Sequence, residues 1–141
     1  MLNVSDPDLK SRVIPLFRLA LSPFFLGAAV FSLFSVALWG MFWTTGLSWN
    51  PYDGWVWWHM HEMLFGFAVA IIVGFLLTAI QNWTGQPSIS SWSLFALFCL
   101  WLAPRFLLLF SIGGMTLLSI IDVSFLIVSA AIMAFLVIRL G

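Results

Sequence analysis

Four long apolar stretches, separated by short polar segments, make up most of the chain. The predicted spans cover about residues 24–45, 60–80, 91–110 and 116–138. The first has about 22 residues and as a helix is about 33 Å long, which is enough to cross a bilayer. Lipid accepts only helices or closed barrels, and the alternation typical of strands is absent. The pattern therefore predicts an all-α, polytopic membrane helical bundle with four transmembrane helices.

The polar segments predict how these helices are connected and oriented. Residues 46–57 and 81–90 are rich in turn-forming residues, and residues 111–114 predict a tight hairpin. Tryptophans cluster at the borders of the spans, as in an aromatic belt. Basic residues flank the first and last spans: Lys10, Arg12, Arg18 and Arg139. Because four spans return the chain to its starting side, the positive-inside rule predicts a short cytoplasmic N-terminal segment and a cytoplasmic C-terminus.

Composition narrows the class of protein further. The chain has 141 residues, of which 63% are hydrophobic and 7% charged, and its net charge is zero. A soluble domain has about 25% charged residues. So few charges cannot cover the surface of a soluble protein, and a neutral chain does not attract nucleic acid. The lone cysteine, Cys99, cannot form an intrachain disulfide. We therefore expect the lipid bilayer to be the main partner and exclude a soluble enzyme or a nucleic-acid binder.

Two of the charged residues inside predicted spans, one in the third span and one in the fourth, are expected to meet. Arg105 comes eight residues before Gly113, and Asp122 comes eight residues after Gly114. Antiparallel helices joined by so tight a turn place both residues at the same depth, on the order of 10 Å below the outer surface. Either charge alone in lipid costs roughly 2.5–3.5 kcal/mol, so we predict a buried Arg105–Asp122 ion pair. The pair either locks the hairpin or belongs to a cofactor or substrate site, and both interpretations stay open here.

The second predicted span carries a stripe of small residues that begins at a carboxylate. Gly66, Ala70 and Gly74 recur every four residues and predict a helix face that packs closely on another helix. Glu62 lies at the outer end of this stripe, so we expect it to face protein rather than lipid. His59 is predicted to share the face of Glu62, whereas His61 is predicted to point nearly opposite to His59.

The segment around these histidines is the candidate metal site. His59, His61, Glu62 and Met63 bring two imidazoles, a carboxylate and a thioether into five positions. Imidazole and thioether suit copper, and imidazole also suits haem iron. The alternative is that both histidines are interfacial and hydrogen-bond lipid head groups and loop carbonyls. Neither a Ser/His/Asp nor a Cys/His arrangement has support, so no catalytic residue is predicted and enzymatic activity is left open.

Ten contiguous residues in this segment resemble the signature of the NnrS family. The sequence Trp58-His59-Met60-His61-Glu62-Met63-Leu64-Phe65-Gly66-Phe67 is similar to the family pattern Trp-His-x-His-Glu-Met-Leu-Phe-Gly. Further blocks of similarity lie at residues 22–27, 74–79, 82–85 and 100–103, together with Arg105 and Asp122. The resemblance covers most of residues 20–125.

The resemblance implies a protein of the bacterial inner membrane that contains haem and copper. It also implies a part in the response to nitric oxide and in relief of nitrosative stress. By the same resemblance, His59 and His61 are candidate metal or haem ligands, and Glu62 orients them or accepts a proton. Arg105 and Asp122 would be the buried polar pair of the same site.

Members of this family are longer and have more spans, so the chain is expected to be a fragment, a truncated gene product or a short relative. Further helices of a longer chain, or a second copy, are the partners this implies. Two other functions stay open. One is a structural or assembly module without metal that packs through Gly66 and Gly74. The other is a proton or ion transporter that uses Glu62, Arg105 and Asp122, although the sequence offers it no continuous polar path.

Overall fold

The computed structural model describes residues 21–85, 89 and 91–140, and the regular structure in this part of the chain is helical. Its elements are α1 (Leu21–Thr45), α2 (Trp55–His61), a π-helical segment (Glu62–Ala68), α3 (Val69–Thr84), α4 (Ser91–Leu109) and α5 (Met115–Leu140). The α2 helix, the π segment and α3 follow one another without a break. Four helices are therefore long and apolar enough to cross a membrane, which confirms the predicted fold class.

Two features of the helices differ from the sequence prediction. The second membrane-spanning helix begins at Trp55 rather than near residue 60, because Gly54, at φ 88°, ends the preceding turn there. The π segment in its middle was not predicted at all. Lys10, Arg12 and Arg18 lie outside the described residues, so the orientation in the membrane stays a prediction.

The loop between α1 and α2 is fixed to the end of α4 by hydrogen bonds. The backbone N–H of Tyr52 donates to the carbonyl of Leu108 at 2.9 Å. The indole N–H of Trp49 donates to the carbonyl of Leu109 at 3.1 Å. These bonds engage carbonyls in the last turn of α4, where backbone carbonyls have no partner within the helix. They also hold the start of α2, and with it the histidine-containing segment, beside the α4–α5 hairpin.

The buried apolar side chains form two clusters. The inner cluster includes Phe24, Ala28, Ala70, Val73, Leu77, Ile80, Leu94, Leu97, Trp101, Phe125 and Leu136. The outer cluster includes Trp55, Trp58, Leu108, Leu109 and Leu118. Along three of the spans, one charged residue lies between the positions that contribute to the two clusters. These residues are Glu62, Arg105 and Asp122, so the charges are enclosed by apolar side chains along each helix.

The stripe of small residues packs inside the bundle against α1. Gly66, Ala70 and Gly74 are buried. A Cβ atom added at Gly66 would lie 2.6 Å from a ring carbon of Phe31 and 2.6 Å from Oε2 of Glu62. Glycine at position 66 therefore leaves the space that Phe31 of α1 occupies. The stripe of small residues packs the second span against another helix of the same chain.

Candidate functional site

Arg105 joins two carboxylates from different helices in the middle of the bundle. Its side chain is almost fully buried, at 2% exposure, and Glu62 is fully buried. Guanidinium Nη1 donates to Oε2 of Glu62 at 2.9 Å, and Nη2 donates to Oδ1 of Asp122. The structure therefore contains the Arg105–Asp122 pair that equal depth in the hairpin predicted. It adds Glu62 as a second partner, which the sequence argument did not identify.

His61 completes this group of charged side chains. Its Nε2 lies 3.1 Å from Oδ2 of Asp122, and its Nδ1 lies 3.4 Å from Oε1 of Glu62. The imidazole ring is stacked between Trp57 and Phe65, with both ring centroids 4.8 Å away. We call His61, Glu62, Arg105 and Asp122 the ion cluster.

The prediction that His59 shares the face of Glu62 does not identify the histidine that contacts this carboxylate. His61 is the histidine that contacts Glu62, and it does so together with Asp122 of α5. The sequence argument considered angular spacing on one regular helix. The actual arrangement depends on a carboxylate contributed by another helix, that of Asp122 on α5.

The charges of the ion cluster balance when His61 carries two protons. Two carboxylates and one guanidinium leave one negative charge. Both ring nitrogens of His61 lie near carboxylate oxygens, and the imidazolium form presents an N–H group to each of them. Stacking between two aromatic rings also favours a cation. A neutral group of four is far less costly to bury than one with an unpaired charge.

His59 lies in a different environment from His61. Its ring is stacked on Trp39 of α1, with the centroids 4.6 Å apart and the planes within 10° of parallel. Its Nδ1 is buried, and within the described residues it has no hydrogen-bond partner. The side chain as a whole is half-buried. Met63, four residues later and also half-buried, falls on nearly the same side of the helix.

Three residues near the site were missed by the sequence analysis. Trp39 fixes one face of His59. Trp101 donates its indole N–H to the carbonyl of Phe65 at 3.3 Å, inside the π segment. The hydroxyl of Ser35 is buried and has no partner among the described residues; it lies on α1 between the positions that meet Gly66 and His59. The available signal was a hydroxyl side chain in a largely apolar span, which Ser32, Thr44 and Thr45 share, so only the register of α1 against the second span singles out Ser35.

The donor groups of the site fit a haem iron better than a metal held by several side chains. In the part of the chain that the structure describes, no three His, Cys, Asp or Glu side chains form a group that could hold a metal ion. The carboxylates bind Arg105, and both nitrogens of His61 face those carboxylates. His59 retains an unpartnered ring nitrogen. Haem iron needs as few as one protein ligand, whereas copper sites usually take several.

Comparison with known proteins identifies one family. A family model described as NnrS protein matches residues 15–140. The matched segment includes the ion cluster, His59 and Met63. Neither the comparison with curated proteins nor that with solved structures gave a match.

Proposed function

Since the chain belongs to the NnrS family, we propose that it is an integral protein of the bacterial inner membrane that binds haem and/or copper and takes part in the response to nitric oxide and nitrosative stress. The observation that carries this proposal is the environment of the His59 imidazole. This ring belongs to a membrane-spanning helix and has a buried nitrogen with no partner among the described residues. Most buried polar atoms are hydrogen-bonded. Among the buried side-chain atoms left without a partner in the described residues, Nδ1 of His59 is the one that belongs to an imidazole, a group that binds copper and haem iron.

The residues around His59 explain how the chain would hold such a group. His59 is the first candidate ligand, and Met63 and His61 are the other candidates of the same segment. Trp39 stacks on the His59 ring and restricts its orientation. A bound haem iron or copper ion would supply a coordination position that nitric oxide can occupy.

The ion cluster supports this site indirectly. Arg105 ties the segment that follows His59 to α4 through Glu62 and to α5 through Asp122. The start of α2 is held by the loop that is bonded to the end of α4. Both sets of contacts limit the movement of α2, so they would keep His59 in a fixed position when a ligand binds.

Metal analysis of the purified chain tests this proposal. The full chain is expressed in bacteria, purified in detergent, and analysed for haem by absorption spectroscopy and for copper by elemental analysis. We expect haem, copper or both in the unaltered chain, and a loss of most of it in the double variant His59→Ala/His61→Ala. Nitric oxide added to the loaded chain should shift its absorption spectrum. Metal content that does not depend on the two histidines would contradict the site.

A further inference from the structure

The two histidines of the site differ in how much of each ring is already engaged. His61 is occupied on every side: Trp57 and Phe65 cover its two faces, and carboxylates of Glu62 and Asp122 face its two nitrogens. A metal could reach His61 only if at least one of the carboxylate contacts broke. That would leave a buried carboxylate with fewer partners and unbalance the ion cluster.

The ring of His59 makes far fewer contacts than that of His61. One face is covered by Trp39, and within the described residues the ring makes no hydrogen bond. Within the described residues no ion pair or hydrogen bond holds the ring, so binding of a metal there would break neither kind of contact. The stack on Trp39 also reduces the rotational freedom that the side chain would lose on binding a metal.

We propose that His59 is the side chain of this segment that would hold a haem iron, and that His61 instead belongs to the ion cluster, where both of its ring nitrogens face carboxylates. This inference rests on the proposed function and makes it more specific. A single open imidazole is sufficient for haem because the porphyrin supplies the other four nitrogen ligands. The inference thus assigns different roles to two histidines that the resemblance made equal candidates for ligands.

Hemin titration of matched variants tests the division of roles. The full chain in detergent is titrated with hemin and followed by its Soret and visible bands, in the unaltered form and in His59→Gln and His61→Gln. We expect His59→Gln to weaken hemin binding at least tenfold and to change the spectrum of any hemin that still binds. His61→Gln should bind hemin within twofold of the unaltered chain but unfold at a lower temperature, because glutamine donates to the carboxylates without supplying a charge. In His59→Gly, free imidazole should restore the spectrum of the unaltered chain.

A second measurement needs neither haem nor substitution. Pentaammineruthenium(II) binds open imidazoles, and mass spectrometry of the labelled chain then identifies the modified residue. We expect labelling at His59 and none at His61.

The outcomes separate the inference from the proposed function. Hemin binding that is lost in His61→Gln and kept in His59→Gln would overturn the inference and leave the proposed function standing. Absence of both haem and copper binding in the unaltered chain would overturn the proposed function. In that case ruthenium labelling still decides which imidazole is open, and labelling at His61 would overturn the assignment.

Discussion

Arg105 is the residue on which the ion cluster depends most, because its buried guanidinium donates to carboxylates of two helices. Each of its terminal nitrogens donates to a different carboxylate, Glu62 on one side and Asp122 on the other. A lysine could not reproduce this arrangement, since an ammonium group lacks the planar fork of donors. Within the described residues, Nε of Arg105 has no partner, so the side chain contacts the carboxylates through its two terminal nitrogens.

Loss of the guanidinium should therefore destabilise the protein strongly. In Arg105→Gln, two buried carboxylates share only His61 as a cation, and breaking a buried pair in this way costs roughly 3–5 kcal/mol. We expect the free energy of unfolding, measured by chemical denaturation in mixed micelles, to fall by about that amount.

The matched control for this variant removes the remaining carboxylate charges as well. The triple variant Glu62→Gln/Arg105→Gln/Asp122→Asn has a similar shape and no unpaired carboxylate. It should recover much of the stability that Arg105→Gln loses, because replacing a whole buried ion pair by neutral groups is often close to neutral. If the triple variant is less stable than Arg105→Gln, charge imbalance is not the cause of the loss.

At the scale of elements, the contact between α1 and the π segment sets the shape of the site. Gly66 lets Phe31 approach the second span closely. Farther along the same two helices, Trp39 of α1 meets His59. From the other side, the indole of Trp101 on α4 donates to a carbonyl of the π segment. The site therefore depends on how closely α1 can pack.

The substitution Gly66→Ala tests this packing. The added methyl group would lie 2.6 Å from both Phe31 and Glu62, so α1 or the Glu62 side chain must move. Overpacking of this kind typically costs about 1–3 kcal/mol, and we expect a loss of that size in thermal or chemical unfolding.

Gly40 is a suitable control because it lies in α1 with nothing within 4 Å of an added Cβ. Gly40→Ala should leave stability unchanged or raise it by roughly 0.5–1 kcal/mol, since alanine favours a helix more than glycine does. Equal effects at Gly40 and Gly66 would show that helix propensity, not packing, explains the result.

The same elements show how far the sequence could predict the structure. Arg105 and Asp122 were placed together correctly because a tight hairpin fixes their depths by counting residues. The burial of Gly66 and Gly74 followed from their regular spacing. The π segment has no such signature, because it is stabilised by partners such as Trp101 that come from another helix. The contacts of His61 could not be predicted either. They depend on the rotation of α5, which brings Asp122 beside the imidazole and which a single sequence does not specify.

At the scale of the whole molecule, the charged groups lie between two apolar clusters, and aromatic residues gather at one end. The loop between α1 and α2 is bonded to the end of α4, so this end of the bundle is held together by side chains such as Trp49 as well as by the backbone. If the N-terminal segment is cytoplasmic, as its basic residues predict, this end and His59 lie toward the extracytoplasmic side. A ligand of His59 would then reach the site from that side of the membrane.

Cysteine labelling in intact bacteria tests this orientation. In a Cys99→Ser background, Ser48→Cys places a thiol on the exposed loop between α1 and α2, and Ser5→Cys places one in the N-terminal segment. A maleimide that crosses the outer but not the inner membrane should label Ser48→Cys directly and Ser5→Cys only after the inner membrane is permeabilised. This follows because the first span separates the two positions by one bilayer, and the basic residues between Ser5 and that span favour the cytoplasmic side. The reverse pattern would invert the topology and place the open face of His59 toward the cytoplasm.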